Sequence, residues 1–253
     1  MYIDTHAHLT YSPLYEDVSA VIERAKSAGV SPIICVGTDL QSSRRAIAMT
    51  ERFDNIFITV GIHPHDAEKL KYGWQKEVLE LCRHPKVVAY GEIGLDYYRN
   101  FGPRNTQLAL LAEQIEMAES LNLPLILHNR LAEDDLARCL ARCGYFHGVL
   151  HCFSSNVEFA RKVLAMGFHI SFTGNATYGT PRIEEVIRTV PLDRLMLETD
   201  SPYLPPEGKR GEVNEPANIP LIAEKIAAIK MVSVTEIEKQ TTDNARRFFN
   251  LPQ

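Results

Sequence analysis

The sequence predicts an α/β protein built as one (β/α)8 barrel, and three observations carry that expectation. Eight short runs rich in apolar and β-branched residues recur along the 253 residues, longer amphipathic stretches separate them, and glycines mark the returns from helix to strand. Short apolar runs alternating with helix-length segments are the pattern of successive βα units around a parallel sheet. The chain length suits a single such barrel.

The strand runs fall at 2–6, 33–37, 56–61, 87–92, 124–128, 148–152, 169–173 and 195–199. The clearest helix spans 104–121, where Leu108, Leu111, Ala112, Ile115 and Leu121 recur at helical spacing. Gly29, Gly144 and Gly167 each follow a helical run and precede a strand. That placement suits the left-handed residue that ends a helix. No Ser- or Pro-rich linker, low-complexity segment or internal repeat divides the chain, so residues 1–253 are expected to form one domain. Eight parallel strands also make open doubly wound sheets, but there a Gly-rich phosphate loop usually follows the first strand. Here that position reads His6-Ala7-His8-Leu9.

Apolar residues make up 45% and charged residues 23%, which excludes disordered, fibrous and membrane-embedded classes. The formal net charge of −5 excludes the broad positive field behind salt-sensitive, sequence-independent DNA binding. Any nucleic-acid contact has to be local. Cys35, Cys82, Cys139, Cys143 and Cys152 are odd in number and form no C-x-x-C pair, which points to reduced thiols in the cytoplasm. The start Met1-Tyr2-Ile3-Asp4 lacks a secretory leader's basic and apolar regions, and no apolar run reaches membrane-spanning length. Neither export nor membrane attachment is expected, and a monomer without an obligate protein partner is.

His6 and His8 lie two apart on a strand, so both side chains share a face, and two imidazoles can grip one metal. Alone, that pair reads equally well as hydrogen-bonded core histidines. The later strands supply corroboration: His63 follows the third, Glu92 ends the fourth, His128 the fifth and His151 the sixth, and Asp200 follows the eighth. In a (β/α)8 barrel the C-terminal strand ends converge on one face, so residues nearly 200 positions apart can share a coordination sphere. His169 begins its strand and so belongs to the opposite face, and His84 and His147 precede strands in loop sequence. None of these three is assigned a function.

Four imidazoles and two carboxylates exceed the protein ligands of one catalytic tetrahedral ion, so two divalent ions sharing a bridging carboxylate are expected. Glu92 is the candidate bridge, since no strand ends in a lysine that could be carboxylated for that purpose. Mixed imidazole and carboxylate ligands accept magnesium, manganese, zinc, nickel or cobalt.

The motifs DTHAHL at 4–9, GIHPHD at 61–66, GEIGLDYYR at 91–99, HCFS at 151–154, ETDSPYL at 198–204 and NEPANIP at 214–220 resemble the TatD family of metal-dependent deoxyribonucleases, which are amidohydrolase-like TIM barrels. The match runs over the whole chain. By this resemblance His6, His8, Glu92 and Asp200 bind one ion, and Glu92, His128 and His151 the other. Two positions depart from the family pattern: Asn129, where Ser or Cys is common, and Ser155, where Gly is common. Neither removes a ligand, and either can alter substrate fit.

The resemblance implies phosphodiester hydrolysis of DNA, as a 3′–5′ exonuclease on single-stranded ends. Paired ions activate water and polarise a phosphoryl oxygen, with Glu92 and Asp200 as the catalytic carboxylates and Asp200 as general base. Substrate contacts are assigned to His65, Arg130 and Tyr203, with Lys209 and Arg210 as weaker phosphate candidates. His63 is expected to contact phosphate or orient a ligand without binding metal. Tyr97, Tyr98 and Phe101 are placed to stack an unpaired base or to pack on a neighbouring helix. Glu198 and Asp4 are read as supporting groups that orient others. The alternative is a small-molecule amide, lactone or phosphoester hydrolase using the same metal pair. A metal-bearing binding protein without turnover ranks third, because no bridge or general base is missing.

Overall fold

The computed structural model describes residues 1–99 and 101–252. Eight strands form one parallel sheet in sequential order: β1 (Tyr2–Ala7), β2 (Val30–Val36), β3 (Ile56–Val60), β4 (Val87–Asp96), β5 (Leu125–Arg130), β6 (Gly148–Leu150), β7 (His169–Phe172) and β8 (Leu195–Leu197). Thr5 Oγ1 donates to Leu197 O, Asp200 N to His6 O and His8 N to Ser201 O, which brings the end of the sheet back to its beginning. The result is the expected (β/α)8 barrel.

Eight helices follow the strands in turn: α1 (Val18–Ser27), α2 (Leu40–Thr50), α3 (Trp74–Leu81), α4 (Arg104–Ser120), α5 (Glu133–Cys143), α6 (Val157–Met166), α7 (Pro181–Thr189) and α8 (Ile219–Lys230). Local chemistry sets their ends. Asp39 and Ser42 form a reciprocal capping box at the start of α2, and the Asn156 side chain caps α6. Gly144 and Gly167 end α5 and α6 in the left-handed conformation, as the sequence predicts. The apolar faces of the helices pack on the outward residues of the sheet around fully buried Tyr90, Ile22, Ile33 and Phe168. Each buried Ile or Leu there contributes about 1.5–3 kcal/mol.

A ninth helix, α9 (Val234–Phe248), lies at the other end of the sheet, where Asn244 Nδ2 donates to Leu192 O and Leu195 O. Its Phe248 and the following Phe249 and Leu251 join Ile3, Ile34, Phe57, Ile126 and Met196 in a second apolar cluster. This cluster plugs the N-terminal end of the barrel, so the C-terminal mouth is the end left open for chemistry.

The strand limits differ from expectation where glycines or turns intervene. β4 continues four residues past Glu92, through Gly94 to Asp96, rather than ending at 92. β6 and β8 stop early, and His151 and Asp200 sit in the turns beyond them; Cys152 and Asp200 take positive φ angles of 45° and 55°. Register shifts flank Asp4 in β1, so Ile3 reaches the inner plug while His6 reaches the mouth, and strict two-residue alternation fails there.

Candidate active site

The six residues expected to hold metal converge at the mouth, all within or just beyond strand ends. His6 Nε2, His8 Nε2, Glu92 Oε2 and Asp200 Oδ1 face one point, with five of their separations between 3.1 and 3.7 Å. Ligands about 2.1 Å from a tetrahedral ion stand about 3.4 Å apart, so these four atoms fit the edges of one coordination tetrahedron. The other oxygen, Glu92 Oε1, lies 3.0 Å from His128 Nδ1 and 2.8 Å from His151 Nε2, and those two nitrogens are 3.3 Å apart. Glu92 thus turns one oxygen to each group of imidazoles. His63 is also near, its Nε2 3.5 Å from Glu92 Oε1, and His63, Glu92 and His128 form a further triad of closely spaced ligand atoms.

Charge explains why such a cluster suits cations. Burial pushes the Glu92 carboxyl up, but the surrounding imidazoles, His151 foremost, hold it well below the usual glutamate range. Burial likewise opposes ionisation of Asp200, and the bond from His8 overcomes it. His8, His128 and His151 are shifted upward despite burial, by Asp200, by Asp96 and by Glu92 respectively. The carboxylates draw positive charge into the cluster, as protons on imidazoles or as divalent cations in their place. The second nitrogens of His6, His8 and His151 are buried without a hydrogen-bond partner among the described residues. The His6 and His151 rings stack 4.0 Å apart and 8° from parallel.

A second layer of polar groups braces the cluster. Glu198 takes hydrogen bonds from Cys152 N and Ser171 Oγ and stands 3.5 Å from His151 Nδ1. Asp4 accepts from His6 N, Thr199 N and Thr199 Oγ1, tying β1 to the residue before Asp200, and burial raises its carboxyl to about 8. Both therefore sit as supports.

Sequence reasoning missed Asp96. Its Oδ2 faces His65 Nε2 at 2.8 Å and His128 Nε2 at 3.3 Å, and its Oδ1 accepts from Tyr98 N and Arg99 N. The signal was present: Glu92, Gly94 and Asp96 share one face of a strand at two-residue spacing. Ending the strand at Glu92 hid it. Tyr11 was missed too; its ring stacks on His8 at 4.9 Å and its hydroxyl bonds Thr38 Oγ1 at 2.5 Å.

Above the cluster opens a cavity of 760 Å³. His65, Arg130 and Tyr203 all line it, together with Arg99, Phe101 and Asn129. The Arg130 guanidinium lies 4.0 Å over the Tyr98 ring, Phe101 packs edge-on against His65, and Tyr203 is half exposed beside His8. Tyr97 instead turns to the helices, its hydroxyl donating to Asp135 of α5. Lys209 and Arg210 stay outside the cavity lining: they pair with Glu212 and Glu207, and Arg210 lies over Tyr178. Of the two family departures, Asn129 faces the cavity, its Oδ1 without a hydrogen-bond partner among the described residues, whereas Ser155 bonds Glu133 outside it. His147 and His169 pack on Phe248 at the plugged end, away from the mouth.

A parallel barrel whose open end gathers imidazoles around shared carboxylates defines a metal-dependent hydrolase. The family model described as TatD related DNase matches residues 3–250, and the chain belongs to that family. It is 40% identical over 254 residues, 99% of this chain and 100% of the other, to the uncharacterized metal-dependent hydrolase YabD of Bacillus subtilis. It is 34% identical, over 98% of this chain and 97% of the other, to a Klebsiella pneumoniae protein named 3′-5′ ssDNA/RNA exonuclease TatD. Among solved structures, the TatD homologue YJJV of Escherichia coli superposes with a TM-score of 0.95 at 33% identity, covering 99% of this chain and 98% of that one. Among the described residues no helix is long and apolar enough to cross a membrane.

Proposed function

We propose that this protein hydrolyses phosphodiester bonds of single-stranded DNA from the 3′ end, using two divalent ions. The observation that carries the reading is Glu92, whose two oxygens each face a separate set of ligand atoms. His6, His8, Glu92 and Asp200 would hold one ion, and Glu92, His128 and His151 the other. When bound, such ions polarise a phosphoryl oxygen and acidify water near neutral pH. Asp200, ionised and facing the cavity, accepts the proton of the attacking water.

Arg130 and His65 meet the phosphate, and Tyr203 and Phe101 offer ring faces to unpaired bases. The reacting atoms lie on the floor of a recessed cavity, which favours a frayed or single-stranded end over a paired duplex. The Klebsiella relative's name supports a nucleic-acid substrate. The five cysteines are free, in keeping with a cytoplasmic location.

End-labelled single-stranded DNA incubated with manganese-loaded protein is expected to shorten stepwise, with activity lost in chelator and in Glu92→Ala. Intact DNA at confirmed metal occupancy would sink this reading and leave the second one, a small amide, lactone or phosphoester substrate. That reading is favoured by the net charge of −5 and a cavity lined by just two described arginines, Arg99 and Arg130. Salt separates the two: cleavage of a polynucleotide weakens steeply with ionic strength, and that of a neutral ester does not.

A further inference from the structure

His63 stands beside Glu92 and His128 closely enough to pass for a metal ligand. Its other nitrogen decides otherwise. His63 ends β3's exit and caps the short 3-10 turn Pro64–Asp66, with Nδ1 accepting the backbone N–H of His65 at 3.2 Å. A nitrogen that accepts carries no proton, so the ring's proton resides on Nε2. To ligate metal through Nε2 the ring would have to move that proton to Nδ1, setting two N–H donors head to head across 3.2 Å. Nε2 keeps its proton, and at 3.5 Å from Glu92 Oε1 it makes at most a weak bond to the protein.

We propose that His63 is a catalytic hydrogen-bond donor: its Nε2–H, fixed at the edge of the cavity next to Glu92 Oε1, binds the substrate oxygen on which negative charge grows. The ring is buried and wedged between His65 and His128, with centroids at 4.2 and 4.7 Å, so the donor is aimed before substrate arrives. A preorganised donor in a water-poor site strengthens its bond as charge develops, which is where it lowers the barrier. This inference rests on the phosphodiester reading above.

Three variants separate the roles. Asn at this position can still cap the turn through Oδ1 but cannot reach the Nε2 site; Gln reaches it with an amide N–H but caps poorly; Ala does neither. Manganese bound per chain, kcat and KM are measured for each holoprotein with a single-stranded oligonucleotide, alongside the unaltered protein. His63→Ala and His63→Asn are expected to bind as much manganese as the unaltered protein, with kcat reduced about 10²–10³-fold and KM within a few-fold. His63→Gln is expected to recover at least tenfold of the loss. Loss of one manganese per chain in His63→Ala overturns the proposal and makes His63 a ligand. Rescue by Asn but not Gln overturns it in favour of a purely structural cap. If the unaltered protein binds manganese yet leaves the oligonucleotide intact, the phosphodiester reading falls and the donor role with it. If it turns over and His63→Ala turns over equally, the donor role alone falls.

Discussion

At the scale of single residues, the geometry of the mouth turns on which candidate ligand each Glu92 oxygen faces. His6, His8, His128 and His151 could be placed from period and position alone, and the structure brings their nitrogens to within hydrogen-bond range of Glu92 or of one another. Asp96 could not, because the fourth run reads as ending at Glu92. Its geometry makes it a positioning residue. Oδ2 accepts from Nε2 of both His128 and His65, which leaves His128 Nδ1 as the lone-pair nitrogen facing Glu92. A carboxylate that orients a ligating imidazole typically controls metal affinity by about 10–100-fold. Asp96→Ala is therefore expected to weaken manganese binding, measured by competition with a chromophoric chelator, by about that factor. Asp96→Asn keeps one acceptor oxygen and should lose less. Unchanged affinity in Asp96→Ala would reduce Asp96 to the turn it caps at Tyr98 and Arg99.

At the scale of elements, all eight strands were legible and α4 falls within a residue of the predicted 104–121. Its buried face, which includes Gln107, Leu111, Gln114, Ile115 and Ala118, repeats at three- and four-residue spacing even though two of those side chains are polar. Strand ends were less legible because they depend on neighbours that sequence does not display. β4 is the clearest case. Gly94 continues the strand because β5 crosses so close that a Cβ there would lie 2.0 Å from His128 O, and its φ of 147° disfavours any other residue. That glycine marks a close approach between the strands that carry Glu92 and His128. Gly94→Ala should therefore cost at least about 2 kcal/mol from backbone strain and displacement of β5. For a chain this size that lowers the melting temperature on the order of 4–8 °C. Gly144→Ala is the control, because its φ of 76° is strained but none of the described residues lies within 4 Å of the added Cβ. The expected penalty there is about 1–2 kcal/mol. Equal melting temperatures for Gly94→Ala and the unaltered protein would mean β4 and β5 can part without cost, contrary to the packing.

At the scale of the whole molecule, the barrel is asymmetric: charge and open space lie at one end, and an apolar plug with two histidines at the other. The sequence assigned His147 and His169 no function, which matches their place, but the docking of α9 over them could not be read from it. Phe248 lies far along the chain from His169, and no local pattern announces that contact. The His147 and His169 rings lie 5.0 and 4.8 Å from Phe248. Burial, aided by Arg194, lowers His169 to about 4, and burial lowers His147 as well. In the unfolded chain His169 titrates near the ordinary value of about 6.5. Between about pH 6.5 and 4 the unfolded state therefore binds a proton that the folded state refuses, and stability rises with pH across that window. The stabilising neutral form is fully present above about pH 6.5, and its advantage is lost as the pH falls toward 4. His169→Gln removes that titration while leaving the site at the other end untouched. Comparing the two proteins at each pH cancels the titration of the metal-site groups they share. The expected result is a smaller drop in melting temperature for His169→Gln than for the unaltered protein between about pH 7 and about pH 4.5, with kcat unchanged at neutral pH. Parallel melting curves would show that His169 takes up its proton without loosening α9, and that the plugged end does not sense acid through this ring.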